Sequence, residues 1–173
     1  MNDLPSPDRC IELLKEYGCS RSVICHCKAV RDIAIRIAEK TDADLKLVEV
    51  GALLHDIGRC ETHGILHAVK GAKIAKKLGL PESVVNIIER HIGAGLSAEE
   101  AKKLGLPNKD FIPLTLEEKI VCHADNLIDN CKKQKIEFEV ERALNEGHNE
   151  YAKRLVILHK ELSVLCGIDL NLI

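Results

Sequence analysis

The chain has 173 residues, a formal net charge of −2 and 46% hydrophobic residues. That length supports a substantial core in one domain, residues 1–173, and the near-neutral charge gives no global pull toward nucleic acid or a membrane surface. Aromatic residues make up 2% with no Trp, so no base-stacking platform is legible and no clear nucleic-acid surface is expected.

No apolar run approaches a membrane span, and the polar N-terminus has no signal-like apolar region, so a cytoplasmic protein without membrane contact is expected. The eight cysteines fall below the density of a disulfide scaffold, and the lack of a secretory signal favours reduced thiols. Cys25-His26-Cys27 resembles a zinc knuckle only superficially, because adjacent positions of a helix point in different directions.

Periodicity predicts an all-α fold. Helices are expected near residues 7–17, 20–40, 43–57, 67–78, 81–92, 97–104, 115–133 and 137–166, with no convincing strand hairpin. Ser97 with Glu100 and Thr115 with Glu118 have the spacing of capping boxes. Ala75-Lys76-Lys77-Leu78-Gly79-Leu80-Pro81 recurs as Ala101-Lys102-Lys103-Leu104-Gly105-Leu106-Pro107, which reads as two helix ends rather than a solenoid repeat. Residues 58–66 and 93–96 read as Gly-containing loops, and 105–114 as a connector.

The most informative string is Leu53-Leu54-His55-Asp56-Ile57-Gly58-Arg59. An imidazole and a carboxylate closing an apolar helix are costly to bury alone, and a metal ion satisfies both. His26 falls in register with Val30, Ile33 and Ile37, and His67 with Gly71, Ile74 and Leu78. His91 ends a stripe of Val84, Ile87 and Ile88, and Asp125 sits with Val121 and Ile128. Four helices thus each aim one metal-capable side chain along an apolar face, and a fifth ends in His55-Asp56. The same test admits His148, with Leu144, Tyr151 and Leu155, and His123 beside Asp125. These two are taken as structural residues or as hydrogen-bond partners orienting ligands.

The ordered set His26, His55-Asp56, His67, His91 and Asp125 resembles the HD-domain superfamily of metal-dependent phosphohydrolases, and His55-Asp56-Ile57-Gly58 matches its HDIG subgroup. The resemblance covers roughly residues 20–132, with a C-terminal helix, 137–166, packing on that core. Ile87-Ile88-Glu89-Arg90-His91 with Gly93, Leu116-Glu117-Glu118-Lys119-Ile120 before Ala124-Asp125, and His67-Ala68 with Gly71-Ala72 are similar to HD-type hydrolases of dinucleoside tetraphosphates. Three features depart from the pattern. Arg59 stands where many relatives carry Lys, the loop between Asp56 and His67 is short, and Ala94 to Pro113 looks like an insertion.

The resemblance implies a helical bundle holding one or two divalent transition-metal ions. His26, His55, Asp56 and Asp125 would hold the first, and His67 and His91 the second, with Asp56 bridging. Mixed His/Asp ligation suits iron, manganese, cobalt, nickel or zinc without choosing among them. It further implies hydrolysis of a phosphomonoester, phosphodiester or phosphoanhydride in a small phosphorylated substrate, a nucleotide above all, by metal-activated water. Arg59, Lys70 and Arg90 are candidates for steadying phosphate, each weighed against a solvated cation. His63 is a candidate acid for the leaving group, weighed against a loop histidine in solvent. Two alternatives stay open: a di-iron oxygenase on the same six ligands, and a regulatory or binding module with little turnover. A homo-oligomer also stays open.

Overall fold

Residues 3–173 are described here from a computed structural model. Helix α1 (Pro7–Glu16) starts where Ser6 accepts a hydrogen bond from the Arg9 amide and Pro7 sets the first turn. Helix α2 (Arg21–Ala38) begins on Ser20, which accepts from Val23 N, and α3 (Leu45–Leu54) on Asp44, which accepts from Lys46 and Leu47. The chain then tightens into a 3-10 turn over Ile57–Cys60. Helices α4 (His67–Lys77), α5 (Glu82–Arg90), α6 (Ala98–Lys103) and α7 (Leu116–Asn126) follow, and α8 (Ile136–Asn145) and α9 (Asn149–Cys166) close the chain. Among the described residues the fold is all-α apart from one short hairpin.

Two sites of packing form the main core. Ile37, Val48, Ile87, Ile120, Leu127, Leu155 and Leu162 bury the middle of α2, α3, α5, α7 and α9 against one another. Leu14, Leu53, Leu54, Ile57, Val84 and Ile88 bury α1 and the end of α3 against α4 and α5. His55 and Asp56 lie beside Leu53, Leu54 and Ile57, so the helix that carries them is anchored on both sides. Gly58 then makes the next step possible. A Cβ there would fall 1.9 Å from His67 O and 2.5 Å from Gly71 N, so the 3-10 turn can touch α4 only without a side chain.

Ser97 and Glu100 form a complete capping box. Thr115 accepts from Glu118 N, but the Glu118 carboxylate turns away to Arg90 and the Leu114 amide, which leaves half a box. Residues 94–113 fold as a lobe of their own over Phe111, which is fully buried with Val69, Leu96, Ala101 and Leu106.

Four expectations require correction. The helix expected over 43–57 ends at Leu54, with His55 as its cap. The helix expected over 115–133 ends at Asn126 and gives way to a hairpin of β1 (Ile128–Asp129) and β2 (Lys132–Lys133). Asn130 makes its turn with φ 55°, a conformation that Asn tolerates better than most residues. Two-residue strands are too short to show a period of two. The helix expected over 137–166 is two helices, broken at Gly147 in a left-handed conformation, with Gly147 N and His148 N hydrogen bonded back to Leu144 O and Ala143 O. The expectation of reduced thiols fits six cysteines and fails for Cys25 and Cys131, which are joined as a disulfide between α2 and the hairpin.

A candidate metal centre

Asp56 stands at the middle of a cradle built by five elements. Its Oδ2 lies 3.8 Å from His26 Nε2 and 3.7 Å from His55 Nε2. Asp125 Oδ1 completes that side, 2.8 Å from His26 Nε2 and 3.5 Å from His55 Nε2. The other oxygen, Asp56 Oδ1, lies 3.1 Å from His67 Nε2 and 3.5 Å from His91 Nε2. The donor atoms of His26, His55 and Asp125 all lie within 4.8 Å of one another, as do those of His55, Asp56 and His91. All six residues singled out in the sequence therefore meet, and the two oxygens of Asp56 face two different sets.

Local structure fixes the direction of every imidazole. His55 Nδ1 meets Ala52 O at 2.7 Å, His91 Nδ1 meets Ile88 O at 2.7 Å, and His67 Nδ1 meets Gly64 O at 2.9 Å, each three residues back along the chain. His26 Nδ1 meets Asn130 O at 2.7 Å, a carbonyl presented by the hairpin. A carbonyl only accepts, so each Nδ1 donates its proton, and a ring that carries no second proton presents its Nε2 lone pair to the interior. That is the arrangement in which imidazole binds a cation, with its outer nitrogen held by a second partner.

The cradle is electrostatically incomplete on its own. His55 Nε2 and Asp56 Oδ1 are buried without a hydrogen-bond partner. His67 Nε2 and His91 Nε2 are 2.9 Å apart, two inward lone pairs face to face. A proton or a metal cation between them is the physical remedy. Burial holds down the pKa of His91, and for His55 it acts the same way, but the Asp56 and Asp125 carboxylates outweigh it and push His55 up to about 9. Burial would raise the pKa of both carboxyls. The facing imidazoles, His55 first, hold Asp56 and Asp125 well below the usual carboxylate range instead. The residues fit a divalent cation: imidazole nitrogens and ionised oxygens converge where a positive charge would satisfy them.

The other sequence candidates separate. Arg59 lines the cradle, with Nε 2.6 Å from Asp56 Oδ2 and a second nitrogen 3.1 Å from His63 O. The structure does not bring the other three there. Lys70 pairs with Glu61 at 3.1 Å, and Arg90 grips both oxygens of Glu118 at 3.0 Å. The His63 side chain is exposed and only its carbonyl reaches Arg59. Neither His123 nor His148 hydrogen bonds to the cradle histidines. His123 Nε2 pairs with His159 Nδ1 at 3.0 Å, and His159 Nε2 with Asp169 at 3.0 Å, while His148 is exposed beside Glu146. The orienting partners are backbone carbonyls.

Four lining residues escape the sequence reading: Asn126, Glu139, Arg142 and Tyr151. The Tyr151 hydroxyl sits 3.0 Å from Asn126 Oδ1 and donates to Glu139 Oε1 at 2.8 Å, Asn126 Nδ2 donates to Gly93 O at 2.6 Å, and Arg142 pairs with Glu139. They sit on α7, α8 and α9; Glu139 and Arg142 are one turn apart on α8, and Tyr151 joins them only because the chain reverses at Gly147. The Glu146-Gly147 pair was the available signal for that break.

Residues 23–129 match the HD domain family. The chain belongs to that family. It is 47% identical over 168 residues to a protein of Thermoplasma volcanium named tRNA (cytidine(56)-2'-O)-methyltransferase, across 97% of this chain and 50% of that protein. It is 45% identical over 166 residues to an uncharacterized protein of Methanocaldococcus jannaschii, covering 91% and 97% of the two chains. A segment is 40% identical over 74 residues to ribonuclease Y of Aquifex aeolicus, 42% of this chain and 13% of that one. The chain thus spans about half the length of the methyltransferase-named relative and a small part of the ribonuclease. Among solved structures, the HD domain of the phosphodiesterase PgpH of L. monocytogenes superposes with a TM-score of 0.58 at 20% identity, over 90% of this chain and 95% of that domain. The same domain has been solved in complex with cyclic-di-AMP, at a TM-score of 0.57 and 18% identity over 90% and 96% of the two chains. At such identity the likeness establishes the HD fold. Among the described residues, no helix is long and apolar enough to cross a membrane.

Proposed function

We propose that this chain is a metal-dependent phosphohydrolase that cleaves a phosphate ester or anhydride in a nucleotide. The observation that carries the reading is Asp56, whose two oxygens face two sets of inward Nε2 atoms with Arg59 at the rim. His26, His55, Asp56 and Asp125 would hold one divalent ion, and His67, His91 and Asp56 a second. Such ions supply Lewis acidity and lower the pKa of water to near neutrality, about 7 in favourable sites.

The chain's own residues do the rest. The ionised Asp56 and Asp125 concentrate negative charge where cations are needed, and the four backbone carbonyls keep each imidazole aimed. Water attacks phosphorus, the bond to the leaving oxygen breaks, and negative charge gathers on the remaining phosphoryl oxygens. The planar guanidinium of Arg59 stands where it can exchange its contact with Asp56 for two of those oxygens. Family membership supports the reading, as do relatives named a phosphodiesterase and a ribonuclease.

The test is a panel of nucleoside mono- and diphosphates, dinucleoside polyphosphates, cyclic dinucleotides and short oligoribonucleotides, each with manganese, iron, cobalt, nickel and zinc. Metal-dependent release of phosphate or a nucleoside phosphate is expected. No turnover on any substrate, with oxygen uptake by the reduced iron form, would replace this reading with the oxygenase.

A further inference from the structure

The lobe of residues 94–113 interrupts the family pattern and has no part in holding the cradle. It does form the wall of a second cavity of 630 Å³, lined by Ile65, Ile92, Leu96, Leu104 and the ring of Tyr151. This cavity shares Ile92, Gly93 and Tyr151 with the metal cradle, so the two adjoin along one rim. That rim is held firmly. Glu139 and Asn126 grip the Tyr151 hydroxyl, and the ring lies against Gly93, where a Cβ would come within 3.1 Å of it. The lobe is held too. Phe111 N donates to Leu96 O at 2.8 Å, Arg154 pairs with Glu100 at 2.9 Å, and Lys109 with Glu89 at 2.8 Å.

The lining has the chemistry of a flat, partly polar ring. Four aliphatic side chains and one aromatic ring offer apolar contact, which a second phosphate would not use. Polar groups remain free at the edge. The Asn149 amide and the Lys103 ammonium line the cavity and make no hydrogen bond or ion pair, whereas Glu100 is engaged by one nitrogen of Arg154, Glu150 by Lys153 and His148 by Glu146. An alkyl chain would leave that amide unused, and a heterocyclic base would meet it with ring nitrogens and exocyclic groups. The volume lies within the range of small-molecule sites, about 300–1,000 Å³.

We propose that this cavity binds the base of the nucleotide whose phosphate sits in the metal cradle, so that the inserted lobe sets substrate specificity. The proposal rests on the phosphohydrolase reading, and its test separates the two. Manganese-loaded protein is titrated calorimetrically with methylphosphonate, a phosphate mimic without a base, and with the methylenephosphonate analogue of adenosine monophosphate. Neither is hydrolysed. The adenosine analogue should bind about 10-fold or more tightly than methylphosphonate. Leu104→Trp fills the cavity from a position already 46% exposed, and should remove that advantage while leaving the methylphosphonate affinity in place. Asn149→Ala, at an exposed position, should weaken only the adenosine analogue, by a few-fold. Equal binding of the two probes to wild type overturns the base site and leaves the phosphohydrolase reading standing. A preference for the adenosine analogue that survives both substitutions also overturns it, because the base is then held elsewhere. Binding of neither probe overturns both readings together.

Discussion

The two halves of the cradle solve the same problem with different chemistry. On one side His26 and His55 face two carboxylates, Asp125 and Oδ2 of Asp56, and part of the set is open to solvent, with 17% of the His26 side chain and 24% of the Asp125 side chain exposed. Without a cation, a protonated His55 can answer those carboxylates, which push it up to about 9 against burial. On the other side His67 and His91 are buried nearly completely, share only Oδ1 of Asp56, and point lone pairs at each other across 2.9 Å. Burial holds His91 down, so protonation there is costly. The anionic half can close upon itself as ion pairs. The buried half is relieved best by a metal cation.

The largest expected effect comes from the residue that both halves share. Asp56→Ala should lower metal content in both and reduce turnover by about 1,000-fold or more, since several kcal/mol of charge stabilisation is lost. Elemental analysis and a phosphate-release assay read the two effects. Unchanged metal content would remove the bridge from the account.

Substitutions on one side should sharpen the contrast. His67→Ala or His91→Ala should empty the buried half and leave up to one ion per chain, and His26→Ala should spare the buried half instead. Metal-to-protein ratios measured on the purified variants decide it. If all three variants lose the same complement, the cradle binds metal as one indivisible site.

Arg59 touches the shared carboxylate from outside, so it should matter for substrate more than for metal. Arg59→Ala should cost roughly 10–100-fold in kcat/KM, the loss of one charge-assisted contact of about 1.5–3 kcal/mol. Arg59→Lys should retain part of the activity, because it keeps the charge without the fork. A drop in metal content as large as that of Asp56→Ala would make Arg59 a support for the carboxylate rather than a phosphate contact.

The smallest effect concerns the core beneath the His55-Asp56 turn. Cys10 is packed with Leu53, Leu54 and Ile57, and burial, with Glu49 nearby, pushes its thiol up to about 12 from an ordinary value of 9.0. The folded state therefore keeps a proton that the unfolded chain releases. This contribution to stability is intact below pH 9 and falls as the pH rises toward about 12. Denaturant titrations of metal-free protein should show that Cys10→Ala flattens this alkaline loss. An identical slope in the variant would place the alkaline sensitivity in the other buried thiols, Cys19, Cys27 and Cys122, which burial also raises.

The sequence by itself determined the helical class, most helix starts, and the six residues that meet in the cradle. These follow from local physics. Ser6, Ser20, Asp44, Ser97 and Thr115 cap the helices they precede, and apolar spacing turns His26, His67 and Asp125 toward a common interior. The matching order of those residues in a known family did what stripe membership could not, since His123 and His148 pass the same periodicity test and lie elsewhere. Tertiary structure alone decided the rest. Which cations reach the cradle depends on competing carboxylates: Glu61 and Glu118 claim Lys70 and Arg90, while Arg59 is left facing Asp56. Glu139, Arg142 and Tyr151 enter because a single left-handed glycine folds α8 back along α9, and periodicity carries no trace of such a reversal. The shape of the second cavity is the same kind of fact. It exists because Phe111 anchors an inserted lobe against Leu96, Ala101 and Leu106, a contact between residues whose sequence spacing says nothing about the space they leave beside them.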